Sequence, residues 1–448
     1  MCGINLCYGE ENAKKMNAAI GHRGIRSRVQ NLFGDLYLGH VRLPIQGLNK
    51  SNDHPVAYKN YIGAFVGEIY NYKELCEGIY SSDLPVLLEE FSKYGERAFH
   101  AFDGSWAAII YNDDAYEVEV FSDYLSKKPL YIRTDTFGIS SEIKALLELG
   151  KVSFDKTYFA AVAKWGYCPE GLTPFNEIKK LPYGSRLVYS ANDAYLKMAR
   201  QTEFLNPHPG RFLTRFTQSV KNRTVADVPI SLLMSGGLDS TILYYVLKEI
   251  SADPLTIFHV ENDEDHYLNF IDFRPQDKII KVSIKDSEYV LNDVLWANDG
   301  PVDLGSMIPQ YLLSREISKN NITVCLSGDG ADELFGGYQR AREYDSQYSD
   351  IYHELIYYHL PRLDKMMFAH KVELRCPFLS KDIIEFAMSL PYEQRTQKEF
   401  LKQQFQSIIP KEIIDRPKKA LRYKHSQEWR LSLIRAYQQL IEEKELLK

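Results

Sequence analysis

The amino-acid sequence predicts an α+β half built from many short strands, followed by an α/β half with a doubly wound parallel sheet and a helical C-terminus. Three observations carry that expectation. Residues 1–200 contain short runs in which apolar and polar residues alternate, the two-residue period of half-buried strands. Asn206-Pro207-His208-Pro209-Gly210 then forms the strongest chain-breaking signal in the sequence. Beyond it, longer helical periods alternate with single apolar strands, the pattern of βα repeats. The expected domains are residues 1–200 and 201–448.

In chain order, strands are expected at Asp35 to Val41, Tyr61 to Gly67, Ala107 to Tyr111, Glu117 to Phe121, Leu130 to Arg133 and Arg186 to Ser190. Helical periods interrupt them at Leu84 to Tyr94 and Glu142 to Leu149. The second half offers buried strands at Ile230 to Met234, Leu255 to Val260, Ile279 to Val282 and Thr323 to Leu326, with a helix over Ile242 to Ile250. Ligands of doubly wound sheets bind at the C-terminal ends of the strands, which directs attention to the turns after Met234 and Leu326. The chain shows no internal repeat and no low-complexity tract.

Composition narrows the function classes. A chain of 448 residues has ample core for two or three domains. Its 54 basic and 60 acidic residues give a net charge of −6, which advertises neither a nucleic-acid partner nor an anionic membrane. Cys2, Cys7, Cys76, Cys168, Cys325 and Cys376 lie far apart with no CxxC pair, arguing for a reducing compartment and against a disulfide scaffold or a cysteine-rich zinc site. No apolar stretch approaches the roughly 18 residues of a membrane span, and no signal peptide is visible, so a cytoplasmic protein is expected.

Ser235-Gly236-Gly237-Leu238-Asp239-Ser240 links the apolar run Pro229 to Met234 to the helical segment after it. Adjacent glycines permit a tight turn, and Ser235, Ser240 and Thr241 add hydroxyls beside the free N–H groups of a helix start, which makes a cradle for an anion. A P-loop would carry a lysine just before the closing Ser or Thr; Asp239 stands there instead. A carboxylate facing a polyphosphate repels it unless a cation lies between, so Asp239 predicts Mg²⁺. A second acidic glycine turn, Leu326-Ser327-Gly328-Asp329-Gly330-Ala331-Asp332-Glu333-Leu334-Phe335-Gly336-Gly337-Tyr338, ends another apolar strand. Neighbouring strand ends would bring Asp239 and Asp332 to one cleft, the arrangement a Mg²⁺-pyrophosphate leaving group needs. Either turn alone could be an ordinary surface turn; the pair argues against that.

These two motifs, with Val372-Glu373-Leu374-Arg375-Cys376-Pro377-Phe378-Leu379, resemble the synthetase domain of glutamine-dependent asparagine synthetases, members of the PP-loop ATP pyrophosphatase superfamily. Met1-Cys2-Gly3-Ile4, Gly39-His40-Val41-Arg42-Leu43, Gly67-Glu68-Ile69-Tyr70-Asn71, Phe102-Asp103-Gly104 and Lys128-Pro129-Leu130-Tyr131 resemble, in order, the motifs of that family's class II amidotransferase domain. The resemblance implies an Ntn-hydrolase-like sandwich of antiparallel sheets for the first half and a homodimer. It also implies glutamine, ATP and aspartate or another carboxylate as small-molecule partners. Cys2 would be the nucleophile, its own α-amine serving as base once Met1 is removed. Arg42 would hold the glutamine α-carboxylate, Glu68 and Asp83 its α-ammonium, and Gly67 would belong to the same pocket. Ser235, Gly236, Gly237, Asp239, Ser240, Ser327 and Gly328 would bind ATP and pyrophosphate, Asp239 and Asp332 would ligate Mg²⁺, and Asp329 would assist ammonia attack. Lys418, in Arg416-Pro417-Lys418, would be the catalytic cation.

The chain also departs from the family's pattern. Val66 replaces the usual Asn of the oxyanion hole, and Arg23-Gly24-Ile25-Arg26 replaces Arg-Gly-Pro-Asp. Loss of one oxyanion donor costs about 10²- to 10³-fold in rate. Since Cys2, Arg42, Glu68 and Asp83 are kept, a slowed glutaminase is expected, with an ammonia-dependent synthetase as an alternative. Thr256-Ile257-Phe258-His259 replaces Ser-Ile-Gly-Phe, and the segment Glu261 to Phe273 is shortened, leaving open amidation of a different carboxylate. A non-enzymatic sensor of glutamine or ATP is the remaining alternative. His259 and His266 lack convergent partners in sequence and read as ordinary polar residues.

Overall fold

The first half folds as four layers, helix, sheet, sheet, helix, in a computed structural model that describes residues 2–76, 78, 80–169, 171–190, 195–200 (backbone), 210–285, 287–303, 305–338, 353–417 and 426–448. Of the chain-breaking signal, only Gly210 is among them. The strands are β1 (Gly3–Tyr8), β2 (Arg26–Phe33), β3 (Leu36–Arg42), β4 (Val56–Tyr58), β5 (Tyr61–Ile69), β6 (Gly104–Asn112), β7 (Glu117–Ser122), β8 (Tyr131–Arg133), β9 (Gly138–Ser140), β10 (Ile178–Lys180), β11 (Ser185–Ser190) and β12 (Tyr195–Arg200). They form two antiparallel sheets, in the orders β10-β8-β9-β1-β3-β2 and β12-β11-β7-β6-β5-β4.

Residue alternation builds the layers. Ile4 and Leu6 of β1 and Leu36 and Leu38 of β3 meet Ala64 and Val66 of β5 and Ala107 and Ile109 of β6 in the core between the sheets. Their sequence neighbours point outward into other apolar clusters. Cys7 and Val41 pack with Ala13 and Met16 of the helix Glu10–Ala19. Phe65, Ala108 and Ile110 pack with Leu84, Leu87, Leu88 and Phe91 of the helix Asp83–Tyr94. Each Val, Leu, Ile, Met or Phe among them contributes about 1.5–3 kcal/mol by leaving water.

The second half holds a five-stranded parallel sheet, β13 (Ile230–Leu233), β14 (Thr256–Val260), β15 (Lys278–Val282), β16 (Val324–Leu326) and β17 (Glu373–Arg375), in the order β15-β14-β13-β16-β17. The chain steps outward from β13 to β15 and then crosses back to β16, so strand order reverses between β13 and β16. At such a switch point two loops diverge and leave a crevice for ligand. The shortened segment after β14 contains a short 3₁₀ stretch, Asp265–Phe270.

The halves share one apolar cluster, in which Phe65, Trp106 and Phe121 of the first belong with Phe212, Phe216 and Phe378 of the second. Buried ion pairs also cross between them. Asp364 binds Arg23 at 2.8 Å and Lys128 at 2.8 Å. Among the described residues no helix is long and apolar enough to cross a membrane, and all six cysteines are free thiols.

Candidate active site

At the switch point the chain leaves β13 and turns through Ser235-Gly236-Gly237 into the helix Leu238–Ile250. Gly236 has φ 69°, the left-handed region that favours glycine. The serine hydroxyls brace the turn: Ser240 Oγ accepts from Ser235 N at 3.2 Å and donates to Gly237 O at 3.1 Å, while Ser235 Oγ accepts from Gly237 N at 3.3 Å. The loop after β16 lies against it. A Cβ on Gly328 would stand 2.9 Å from Asp239 Cβ and 3.1 Å from Ser240 N, so glycine there lets the two loops touch. Arg416 donates to Ser235 O at 3.1 Å and to Glu264 at 2.6 Å, stacked over the Tyr267 ring.

Asp239, on the first turn of one helix, and Asp332, on the short helix Ala331–Leu334, converge on a single ammonium. Lys398 Nζ lies 2.5 Å from Asp239 Oδ2 and 2.5 Å from Asp332 Oδ1. Burial works to lower the Lys398 pKa, but Asp239 and Asp332 overcome it and hold the ammonium well above its usual range. The backbone on either side is fixed to the second acidic loop, Gln397 N–H donating to Gly336 O at 2.9 Å and Lys398 N–H to Phe335 O at 2.8 Å. A Cβ on Gly337 would fall 1.9 Å from Asp332 Oδ1, so that glycine makes room for the carboxylate. Two carboxylates able to share one cation form an oxygen donor set suited to Mg²⁺, which takes its other ligands from phosphates and water.

Asp329, on the same acidic loop, has its side chain 31% exposed. The Ser327 hydroxyl donates to its Oδ2, and Arg362 Nη2 reaches its Oδ1 at 3.4 Å. Behind it Glu333 is buried, and burial followed by the charge of Asp332 pushes its pKa to about 7. The Tyr338 hydroxyl donates to Glu333 at 2.7 Å. His259 donates Nδ1–H to Met234 O and shares a hydrogen bond through Nε2 with the Asp265 carboxylate, each at 2.7 Å, as a structural brace at the end of β14.

The second candidate site lies at the N-terminus. Cys2 joins the core between the sheets with Ala64, Val66 and Ala107. Burial pushes its thiol up to about 11, opposed by the Leu43 backbone N–H and the Arg42 charge. Gly67 has φ 119°, and a Cβ there would fall 1.9 Å from Ser105 O, so no other residue fits. Val66 is fully buried and presents only methyl groups. Glu68 and Asp83 are both buried. Burial, then the charge of Asp83, raises Glu68 well above the usual carboxylate range. Burial lifts Asp83 to about 7 against a hydrogen bond from Ile69 N at 2.9 Å. An ammonium group set against two buried acids whose pKa values are raised would favour their charged forms.

The recognition groups already have partners within the chain. Arg42 donates to Gln46 O at 2.8 Å, Gly47 O at 2.7 Å and Asn49 O at 3.1 Å, and pairs with Asp53 at 2.8 Å. The Gln46 carboxamide donates to Glu68 Oε2.

Where the halves meet lies a small cavity of about 30 Å³, room for one or two waters. Tyr70, Ser105 and Lys127 line it from the first half and Leu360, Leu363 and Cys376 from the second. Burial lowers the Lys127 ammonium to a pKa of about 8. The guanidinium groups of Arg223 and Arg375 both lie over Tyr70, 4.8 Å and 5.0 Å from its ring centroid.

The residues singled out in the sequence thus gather in two places. Ser235, Gly236, Gly237, Asp239, Ser240, Ser327, Gly328, Asp329 and Asp332 meet at the switch point; Cys2, Arg42, Gly67, Glu68 and Asp83 line the N-terminal site. Lys418 lies outside the described residues. Sequence reasoning missed Lys398, Glu333, Gln46 and Asp53. Of these, only Glu333 carried a visible signal, as the acid following Asp332 in an already acidic turn.

Family models match most of the chain. A family model described as asparagine synthase matches residues 211–351 and 340–446, and one described as glutamine amidotransferase domain matches residues 1–199. The chain is similar to putative asparagine synthetase [glutamine-hydrolyzing] 2 of Methanocaldococcus jannaschii, with 29% identity over 396 residues, covering 75% of this chain and 76% of that one. The corresponding protein 1 of the same organism is 30% identical over 404 residues, covering 82% and 71%. Asparagine synthetase [glutamine-hydrolyzing] 1 of Bacillus subtilis is 30% identical over 364 residues, covering 75% of this chain and 57% of that protein's length.

Proposed function

This chain belongs to the asparagine synthase family, joined to an N-terminal glutamine amidotransferase domain, and from that premise we propose that it is an ATP-dependent ligase that amidates the β-carboxylate of aspartate with nitrogen from glutamine. The carrying observation is the convergence of the Ser235–Ser240 and Ser327–Asp332 turns at the switch point, with Asp239 and Asp332 reaching one cation. On this reading residues 1–200 form the glutaminase and residues 201–448 the synthetase.

In the synthetase half, Ser235, Gly236, Gly237, Ser240, Ser327 and Gly328 would hold the ATP phosphates by N–H and hydroxyl donors. Asp239 and Asp332 would hold Mg²⁺, which neutralises charge on the departing pyrophosphate when the carboxylate attacks the α-phosphorus. Asp329, hydrogen-bonded by Ser327 and Arg362, would take a proton from ammonia as it displaces AMP from the acyl-adenylate. Lys418 is assigned to the same step by family resemblance alone.

In the glutaminase half, a thiol pushed up to about 11 is a poor nucleophile at neutral pH, so Cys2 requires a base. Removal of Met1 would supply one in the α-amine of Cys2 itself. Glu68 and Asp83 would receive the glutamine α-ammonium and Arg42 its α-carboxylate, with the Gly67 N–H beside the reacting carbonyl. The interdomain cavity suits passage of ammonia. A second reading, synthesis mainly from free ammonia, is favoured by Val66 at the oxyanion position. Small-molecule partners and a cytoplasmic setting accord with the net charge of −6 and the six free cysteines.

ATP–pyrophosphate exchange with a panel of acids tests the reading. Exchange dependent on aspartate, with asparagine formed on adding ammonia, is expected; exchange with another acid alone would overturn the substrate, and none at all the reaction.

A further inference from the structure

We propose that Gln46 is a built-in competitor for the glutamine pocket, held there by the synthetase half, and that it sets how readily this chain takes nitrogen from glutamine. The inference rests on the reading that Glu68 receives the glutamine α-ammonium. Gln46 is buried, 5% exposed, and its carboxamide donates to Glu68 Oε2. An amide NH₂ and an ammonium are both N–H donors, so Gln46 fills the role the substrate must take over. The opposite recognition group is also engaged, Arg42 being paired with Asp53 and with three backbone carbonyls. Both ends of the pocket are thereby satisfied without a ligand.

The position of Gln46 is imposed from outside its own half. Asp227, three residues before β13, donates its backbone N–H to Ile45 O at 2.9 Å and accepts from Gly47 N at 2.8 Å. These two bonds bracket Gln46 on either side. Gly47 has φ 60°, and a Cβ there would fall 2.6 Å from Ser81 O, which closes the turn against the segment leading into Asp83. The strand that Asp227 precedes carries the Ser235–Gly237 turn at its other end. A shift of β13 on loading the synthetase site would therefore move the clamp on Gln46.

Glutamine must displace the Gln46 amide from Glu68, and the free energy of that hydrogen bond is subtracted from its binding. Gln46→Ala removes both donor and bulk; Asp227→Asn keeps the fold and weakens only the clamp. Calorimetric titration of the full chain with glutamine should show about tenfold or tighter binding in Gln46→Ala and a smaller gain in Asp227→Asn. Ammonia-dependent amide synthesis, measured in parallel, should match wild type in both variants and so report intact folding. Unchanged or weaker glutamine binding in either well-folded variant would overturn the proposal, as would absence of binding in both. Failure of ammonia-dependent synthesis in the wild type would instead strike at the ligase reading.

Discussion

Replacing Lys398 by methionine asks whether Asp239 and Asp332 form a cation site or merely one side of an ion-pair cluster. Each carboxylate oxygen lies 2.5 Å from Nζ, which places the two oxygens no more than about 5 Å apart. Two like charges at that separation repel by about 3 kcal/mol at an effective dielectric of about 20. The Asp239 and Asp332 side chains are 15% and 16% exposed, so water screens them little. Methionine keeps most of the lysine volume but not its charge. The unliganded variant should lose about 3 kcal/mol, the lower end of the range for removing one partner of a buried pair, and melt about 3–6 °C lower. Scanning calorimetry with and without Mg²⁺ is the assay. In wild type Mg²⁺ has to displace the ammonium and should raise the midpoint little; in Lys398→Met it enters an open anionic site and should recover most of the loss. Equal Mg²⁺ effects on both proteins, or a variant melting with wild type, would refute the assignment of these carboxylates to a shared cation.

Three further outcomes follow from the geometry. Val66→Asn should raise glutamate release about 10²- to 10³-fold, at a cost of about 1–3 kcal/mol for a buried amide; an unchanged rate would show that another donor already serves. Asp83, lifted to about 7 by burial, must ionise to pair with an ammonium, so KM for glutamine should fall as pH rises through about 7. Because the folded pKa exceeds the unfolded value of about 4, the unliganded protein binds protons more tightly than the unfolded chain in that window and loses stability as pH rises across it; a melting midpoint that rises over the same range would contradict this. Asp364→Asn leaves Arg23 and Lys128 facing one another without their shared carboxylate, and should lower stability by about 3–5 kcal/mol. Arg23 also donates to Cys2 O at 2.9 Å, so more glutamate should be released per amide formed in that variant than in wild type.

The switch-point site was legible because its signals are local: glycines that a tight turn or close approach requires, hydroxyls at a helix start, and acids at fixed spacing within two short runs. Gly328, Gly330 and Gly337 each have a steric reason that a sequence motif preserves. Lys398 carries no such mark. It lies 159 residues from Asp239, between two short helices, and only the fold brings it to the carboxylates. Gln46 was hidden for a similar reason, since its partner Glu68 is on β5 and its clamp Asp227 lies in the other half. Strand β1, Gly-Ile-Asn-Leu-Cys-Tyr, escaped because its first five residues are buried on both faces, which erases the alternation that marks a half-buried strand. Strand β5 was seen because its flanking turns delimit it, although it too is buried on both faces beyond Ile62.

Nitrogen transfer between two active centres is useful only if each responds to the other, and the charges at the junction provide a physical route. The Glu373–Arg375 ion pair, 2.5 Å between Nε and Oε1, occupies β17, beside the strand whose end carries Ser327 and Asp329. Ser327 N donates to Arg375 O at 3.0 Å, so the acidic loop is tied directly to that residue. Besides burial and Asp83, the same two charges act on Glu68, proposed above to receive glutamine, Glu373 raising its pKa and Arg375 lowering it. Arg375 and Arg223 also lie over Tyr70, two residues beyond Glu68 and on the wall of the cavity. Displacing β17 relative to β5 would therefore change the protonation of Glu68 and the width of the cavity together. A buried charge can transmit such a shift where an exposed one could not, because little water intervenes to screen it.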